Sequence, residues 1–144
     1  MISKGIRGAI TVDNNSKEAL KEATLELLLE MFMQYCIEPP LSMGGVSESD
    51  GGICNNSTEN ISHIIFTTTN DLNAEFPAKF ARLDMGLKDT AMMCFHELDV
   101  PNSLPMCLRI LIVLNCEENF IPKFVYLKGA ESLRKHISML ENQA

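Results

Sequence analysis

The residues of this 144-residue sequence that could do chemistry are led by its four arginines: Arg7, Arg82, Arg109 and Arg134. Arg7 and Arg109 interrupt stretches that otherwise read as apolar β-strand. A guanidinium is charged at any physiological pH and is rarely buried without a partner, so both arginines need an anion. Two sources of that anion stay open. One is a carboxylate of the protein, with Glu97 or Asp99 as candidates for Arg109, and the other is a small anionic ligand.

Other kinds of site find weaker support. Cys94 and His96 would share a strand face and could pair as nucleophile and base or as two metal ligands. No orienting third residue and no second ligand pair accompanies them, so we expect neither covalent catalysis nor a metal site. The sequence contains no G-x-S-x-G, G-x-G-x-x-G or P-loop motif, and we expect no cofactor.

Composition and net charge limit the kinds of molecule that the protein can bind and the compartment in which it works. The formal net charge is −7, which argues against nucleic acid and anionic membrane as partners but leaves room for a local cationic pocket. No apolar run approaches the ~20 residues that a membrane helix needs. The five cysteines are odd in number and form no C-x-x-C, which favours free thiols in a reducing compartment. The chain opens directly on a strand pattern without a signal peptide, so we expect a cytoplasmic protein.

Hydrophobic periodicity predicts a single domain over 1–144 of the α/β (α+β) class, with a mixed five-stranded sheet and covering helices. The predicted strands are 4–12, 61–69, 90–97, 107–115 and 123–127, and the predicted helices are 16–35, 76–86 and 130–140. The most apolar strand, 107–115, is expected at the centre of the sheet. Residues 13–16 supply oxygens that can cap the first helix, with a capping box to Glu18 if Asn15 is the cap. The polar stretch 42–60 is predicted to be a flexible surface loop insertion.

Three further residues have ordinary structural explanations. Glu97 and Asp99 lie at the end of a predicted strand, where acidic residues are commonly solvated, and they matter only if a cation and a pocket lie beside them. Tyr126 on a half-buried strand commonly packs with its hydroxyl at the edge. The residues alone therefore indicate a soluble α/β domain whose scattered cations are candidates to converge on a small anion.

Several segments taken together resemble the monofunctional, trimeric class of bacterial chorismate mutase. They are GIRGAITV at 5–12, TNDLNAEFPAKFAR at 69–82, MCFHELDV at 93–100, CLRI at 107–110, VYL at 125–127 and LR at 133–134. The D-L-x-A-x-F-P-A-K-x-x-R pattern is the most specific of these, and all four arginines fall on family positions. The likeness covers most of the chain except the last few residues and the loop at 42–60. This loop is longer than usual for the family and is expected at its periphery.

The resemblance implies a homotrimer that forms a pseudo α/β-barrel, with active sites in clefts between adjacent subunits. One subunit would mainly supply Arg7, Cys94, Glu97, Arg109 and Tyr126. The neighbour would supply Phe76, Ala78, Lys79 and Arg82. Leu133 and Arg134 would close the mouth of the cleft. The implied reaction is the Claisen rearrangement of chorismate to prephenate in phenylalanine and tyrosine biosynthesis, without a cofactor or a covalent intermediate.

The same resemblance implies a role for each residue. Arg109 would stabilise the charge that grows on the ether oxygen, Arg7 would pair with a carboxylate, and Tyr126 would hydrogen-bond the same region. Glu97 would accept a hydrogen bond from the ring hydroxyl, helped by the backbone of Cys94. The remaining cations, Lys79, Arg82 and Arg134, would steer the dianion, while Phe76 and Leu133 would form apolar walls.

Two alternatives stay open at this stage. The first is an imine/enamine deaminase of the related trimeric fold, against which the segment 76–79 and the set Arg109, Tyr126 and Arg134 argue. The second is a binder of aromatic-pathway metabolites without catalysis, against which the complete set of family-position residues argues.

Overall fold

The computed structural model describes residues 1–35, 37 and 57–134 of the chain. The described elements are β1 (Ile2–Thr11), α1 (Lys17–Gln34), β2 (Ile61–Thr68), α2 (Pro77–Asp84), β3 (Ala91–His96), β4 (Cys107–Cys116) and β5 (Val125–Leu127). Single 3₁₀ turns lie at Thr58–Asn60 and Lys128–Ala130, and residues 131–134 are helical. The predicted loop at 42–60 falls outside the described residues except for 57–60, as does the predicted helix beyond 134.

The five strands form one mixed sheet in the order β3-β2-β4-β1-β5. The central strand, β4, is antiparallel to β1 and to β2, whereas the outer pairs β2·β3 and β1·β5 are parallel. The predicted fold class is therefore confirmed, and so is the central place of the most apolar strand. β4 has a strand on each side and buries alternate residues in the core along its length, which explains why it is the most apolar strand.

The two faces of the sheet differ in what covers them. On β4, Leu108, Ile110 and Ile112 are fully buried against the core that α1 and α2 complete. Their neighbours Arg109 and Leu111 alternate with them and are only half-buried. We call the first side the helix face. The second side, which neither α1 nor α2 covers, is the open face, and its row of positions includes Arg7, Ala9, Ile65, Thr67, Met93, Phe95, Arg109, Leu111 and Tyr126.

Helix α1 begins at a side-chain cap and not at the predicted capping box. The Ser16 hydroxyl accepts a hydrogen bond from the Ala19 N–H at 3.1 Å. Asn15 instead accepts the N–H groups of Asn73 and Ala74, both at 3.0 Å, so it ties the helix start to the segment that leads into α2. Because Ser16 caps the helix, the side chain of Asn15 is available to hydrogen-bond the loop before α2.

Gly8 sets the distance between β1 and α1. A Cβ atom placed on Gly8 would lie 2.6 Å from Sδ of Met31 and 3.0 Å from Cδ1 of Leu27. Two buried side chains of α1 therefore pack directly on the strand backbone at this point, where glycine leaves room for them. Arg7 and Ala9, on either side of Gly8, point to the open face because side chains alternate along a strand.

The last strand is shorter than predicted. The hydroxyl of Tyr35 hydrogen-bonds the main chain of Lys123, both its N–H and its carbonyl, so this residue is held by the end of α1 and not by a neighbouring strand. Strand pairing therefore starts only at Val125.

Candidate active site

The open face carries a row of aligned residues across three strands. Arg109 of β4 is paired with Ala9 of β1, and Ala9 is paired in turn with Tyr126 of β5. Paired residues project to the same side of a sheet, and strands lie about 4.8 Å apart, so Arg109 and Tyr126 start about 10 Å apart on one face. The side chain of Ala9 is small and buried, so no bulky group stands between Arg109 and Tyr126. The surface between the guanidinium and the phenol is therefore a shallow depression.

Arg7 reaches the phenol end of this row. Its Nη2 donates to the Tyr126 hydroxyl at 3.3 Å, and its guanidinium carbon lies 4.8 Å from the ring centroid of Phe124. These contacts orient the guanidinium without neutralising it. Within the described residues no carboxylate lies at ion-pair distance from Arg7, and the residue is exposed. Its charge is therefore available to a ligand.

Arg109 is only partly compensated by the protein. Its Nε lies 3.7 Å from Oε1 of Glu97, so of the two open candidates the ion-pair partner is Glu97. That separation is too long for a hydrogen bond, and the Nε atom is buried with no hydrogen-bond partner in the described part of the chain. A buried donor without a partner costs free energy, which a ligand acceptor would recover.

Glu97 is held in place by the strand beside it. Its N–H donates to the carbonyl of Thr68 at 2.8 Å, which continues the parallel pairing beyond the end of β3. Its Oε1 accepts a hydrogen bond from the hydroxyl of Thr67. Thr67 is in turn the paired residue of Arg109 across β2 and β4. The carboxylate therefore lies over the open face beside the guanidinium.

The chain after β5 lies over the phenol end. The guanidinium carbon of Arg134 lies 5.8 Å from the ring centroid of Tyr126, and its Nη2 donates to the carbonyl of Phe124 at 3.3 Å. Leu133 packs on a small cluster of buried residues that is separate from the main core: Ala9, Cys107, Tyr126 and Ala130. Leu133 and Arg134 thus lie at one side of the open face.

The net charge of this group opposes that of the protein. Arg7, Arg109 and Arg134 supply three positive charges and Glu97 supplies one negative charge, in a chain of formal net charge −7. A local excess of cations on an acidic protein attracts small anions and concentrates them at the site. The excess matches a doubly charged anion better than a neutral ligand.

A second group of predicted residues lies on and beside α2. Phe76 is 67% exposed at the start of the helix, Ala78 is buried, and Arg82 is exposed. Lys79 lies 3.1 Å from Oε2 of Glu75. The N–H of Phe76, followed by Lys79, lowers the pKa of Glu75, so this carboxylate stays ionised beside the lysine. The exposed part of α2 therefore offers an aromatic ring and two cations.

Cys94 lies on the same side of the sheet as α2 and not on the side that carries the arginines. It is paired with the core residue Phe66, so its thiol projects to the helix face. Burial raises the pKa of the thiol, and a hydrogen bond to the backbone of Ala78 and the charge of Arg82 offset part of that shift. The thiol stays protonated at neutral pH and does not reach the open face. Within one subunit, the α2 group and the arginine group thus lie on opposite faces of the sheet.

A cleft separate from the arginines lies at the end of β3. It has a volume of about 310 Å³ and is formed by the loop from Glu97 to Pro105 together with residues 69–71. Its lining includes Glu97, Asp71 and Asp99 and none of the arginines, so it would repel an anion. Asp71 is engaged with the Met106 N–H at 3.0 Å, which ties this loop to the start of β4.

Sequence reasoning missed two residues of the arginine group. Thr67 bonds Glu97, and Phe124 lies under the guanidinium of Arg7. Thr67 follows from strand register, since it is the paired residue of Arg109, whereas Phe124 precedes Tyr126 by two residues. A single sequence shows which residues alternate on one strand, but not which residue of the next strand stands opposite.

The fold and the geometry together define a candidate anion-binding site, rich in arginine, on the open face of a mixed five-stranded sheet. The family model for chorismate mutase type I matches residues 53–137 of this chain. The chain belongs to that family, and it is accordingly an isomerase.

Relatives support this membership along the whole chain. The chorismate mutase AroH of Thermus thermophilus is 36% identical over 132 residues, which cover 91% of this chain and 93% of that protein. The protein of the same name from Bacillus subtilis strain 168 is 27% identical over 99% of this chain and 98% of its own length. A solved chorismate mutase from Clostridium thermocellum superimposes with a TM-score of 0.71 and 37% identity, over 90% of this chain and 98% of that one. Nothing in these matches favours the deaminase alternative.

Proposed function

We propose that this chorismate mutase converts chorismate to prephenate at the open face, with Arg7, Arg109 and Arg134 facing the dianion. The observation that carries the proposal is the convergence of three guanidinium groups on a surface where the described residues place one carboxylate at ion-pair distance, 3.7 Å from a single nitrogen of Arg109. Guanidinium groups with free edges bind carboxylates in a planar, two-pronged geometry.

The rearrangement needs no nucleophile because the bonds break and form within one molecule. The protein contributes by holding the flexible dianion in its compact, chair-like shape and by stabilising the negative charge that grows on the ether oxygen. Arg109 is the residue for that oxygen, since its buried Nε lacks a hydrogen-bond partner in the described residues. Arg7 binds a carboxylate, and the hydroxyl of Tyr126, which accepts from Arg7 at 3.3 Å, lies in the same region.

Glu97 accepts the hydrogen bond from the ring hydroxyl of the substrate. Its Oε1 is already bonded to Thr67, which leaves Oε2 for the ligand. The backbone of Cys94 helps from the same strand. A carboxylate at this position also repels the carboxylates of the substrate, so it selects the orientation in which the hydroxyl meets Glu97.

The other half of each site comes from a neighbouring subunit of a homotrimer. The open face exposes apolar side chains that a soluble subunit covers by association, among them Met93 at 60% and Phe95 at 48% exposure. The exposed side of α2 in the neighbour would bring Phe76, Ala78, Lys79 and Arg82 to this face. Lys79, Arg82 and Arg134 then steer the dianion, and Phe76 and Leu133 form the apolar walls.

The protein works in the cytoplasm, where its free thiols stay reduced. Three cysteines among the described residues, Cys94, Cys107 and Cys116, form no disulfide. None of the helices described for this chain has the length and apolar character that crossing a bilayer requires.

A mixing experiment tests the composite site. Arg109→Ala removes a residue of the open face, and Arg82→Ala removes one of α2. Each variant alone loses activity, but in a trimer reassembled from equal amounts about a quarter of the interfaces combine two intact halves, so about a quarter of wild-type activity returns. A site within one subunit would give no recovery on mixing. Mass measurement of the mixture shows whether trimers exchange subunits.

The reaction itself is followed by the loss of the diene absorbance of chorismate. An imine substrate run in parallel tests the deaminase. Turnover of the imine without turnover of chorismate would overturn the proposed activity, and tight binding of chorismate without formation of prephenate would support the binder instead.

A further inference from the structure

We propose that Thr67 is a positioning residue that keeps Glu97 from neutralising Arg109. The inference rests on the proposed function, and it names the side chain that keeps the main cation of the site available. Thr67 lies between the two charged residues: its hydroxyl donates to Oε1 of Glu97, and its backbone is paired with that of Arg109.

The contact between Glu97 and Arg109 is unusual for a pair so close together. A free carboxylate beside an arginine normally takes the two-pronged geometry, with two hydrogen bonds of about 2.7–2.9 Å to the guanidinium. Here Oε1 stands 3.7 Å from Nε, and Nε makes no hydrogen bond within the described residues. A carboxylate that pairs fully with Arg109 would occupy the guanidinium edge that the ether oxygen and a substrate carboxylate need.

The hydrogen bond from Thr67 explains why the carboxylate of Glu97 comes no closer to Arg109. Its hydroxyl engages the same oxygen, Oε1, that faces Arg109, and the main chain of Glu97 is fixed by the bond from its N–H to Thr68 at 2.8 Å. Bonding at both ends leaves the side chain of Glu97 little freedom to swing toward the guanidinium. One carboxylate oxygen is therefore satisfied by the protein, and Oε2 remains for the hydroxyl of the ligand.

The position of Thr67 suits this task. A threonine is β-branched and stiff about its first side-chain torsion, so its hydroxyl direction is well defined on a strand. Thr67 is half-buried on the open face, where Ile65 and Met93 are apolar neighbours. Its hydroxyl is thus a single polar group among apolar side chains and beside the charged pair.

Two substitutions separate the hydroxyl from the shape of the side chain. Thr67→Val keeps the branched shape and the strand propensity but removes the donor, so Glu97 is released and pairs with Arg109. We expect kcat/KM for chorismate to fall about ten- to a hundredfold, the scale for misplacement of a catalytic group, with a lower kcat as well as a higher KM. Thr67→Ser retains the donor and should stay within about threefold of wild type, far less than loss of a hydrogen bond to a charged group would cost.

A control and a double variant distinguish positioning from general damage. Thr24→Val makes the same change at a buried threonine of α1, away from the open face, whose hydroxyl donates to the carbonyl of Leu20 at 2.6 Å. It should lower the melting temperature without changing kcat/KM. In a Glu97→Ala background, Thr67→Val should have no further effect, because the carboxylate through which Thr67 acts is gone.

Three kinetic results would overturn the role of Thr67: full activity of Thr67→Val, a loss in Thr67→Ser as large as in Thr67→Val, or the same loss with and without Glu97. Wild-type activity in Glu97→Ala itself would instead contradict the proposed site. A crystal structure of Thr67→Val adds a readout independent of turnover, in which Glu97 should lie about 2.8 Å from terminal nitrogens of Arg109. A carboxylate that keeps its present position there would also overturn the inference.

Discussion

Nε of Arg109 lies 3.7 Å from Oε1 of Glu97, close enough for electrostatic attraction but too far for a hydrogen bond. Both side chains are partly open to solvent, with 34% and 26% of their surface exposed. The protein thus offsets the charge of its buried donor without satisfying its hydrogen bond. This half-satisfied state is unfavourable in the free protein, and it becomes favourable only when a ligand supplies the missing acceptor.

Arg109→Ala should therefore abolish most of the activity while leaving the fold intact. Removal of one donor to a developing oxyanion costs about 10²–10³ in kcat, and more if substrate orientation also fails. Chorismate absorbance measures turnover, and circular dichroism checks the fold. Arg109→Lys keeps the charge but not the planar fork, so it should remain strongly impaired. A near wild-type kcat in Arg109→Ala would rule out the proposed role.

Tyr126→Phe tests the hydrogen bond that Arg7 donates at 3.3 Å. The ring on which Arg134 lies is retained, so only the hydroxyl is lost. We expect kcat/KM to fall about three- to tenfold, in line with a long hydrogen bond to a charged group. In an Arg7→Ala background the same change should have a smaller effect. Equal losses in both backgrounds would show that the hydroxyl acts independently of Arg7.

Gly8→Ala tests the close packing of α1 on β1. The added methyl group would meet Sδ of Met31 at 2.6 Å and Cδ1 of Leu27 at 3.0 Å, so these fully buried side chains must shift, which costs about 1–3 kcal/mol in an overpacked core. Thermal unfolding measures the loss. Gly5→Ala on the same strand is the matched control, because its Cβ would meet only the flexible end of Leu111 at 3.3 Å and should cost less.

Cys107 should make the protein less stable at alkaline pH. Burial raises the pKa of its thiol above the ordinary value of 9.0, although Arg109 opposes the shift. The folded state therefore holds its proton after the unfolded chain has released one, so the free energy of unfolding falls as the pH rises above about 9. Denaturant titrations between pH 8 and about 10 measure the slope. Cys107→Ala should flatten it, and an unchanged slope would assign the effect to other groups such as Tyr35, whose pKa burial also raises.

Much of the fold was predictable because the hydrophobic pattern records local structure. The buried stripe of α1, with Leu20, Leu27 and Met31, and the alternation along β4 both lie where the sequence placed them. The ends of elements were less predictable, because they depend on tertiary contacts. Ser16 caps α1 while Asn15 bonds a distant loop, and Tyr35 holds Lys123 out of β5.

The candidate site was predictable in its residue types but not in its arrangement. The scarcity of arginine and its place in apolar strands drew attention to Arg7 and Arg109. Which residues stand beside them follows from register across separate strands, and the pairing of Thr67 with Arg109 has no signature in a single sequence. The placement of the Cys94 thiol on the helix side depends on the same register, through its pairing with Phe66.

A change in ionic strength should distinguish long-range attraction of the substrate from catalysis of the reaction. Arg134 is exposed and touches the site only through the Tyr126 ring and the carbonyl of Phe124, so its charge acts mainly at a distance. Screening shortens the reach of such charges from about 10 Å at 0.1 M salt to about 3 Å at 1 M, whereas the partly buried Arg109 is screened less. KM for chorismate should therefore rise with salt while kcat changes little. Arg134→Ala should raise KM at low salt and reduce its salt dependence. A salt effect confined to kcat, or one unchanged in Arg134→Ala, would contradict long-range attraction by Arg134.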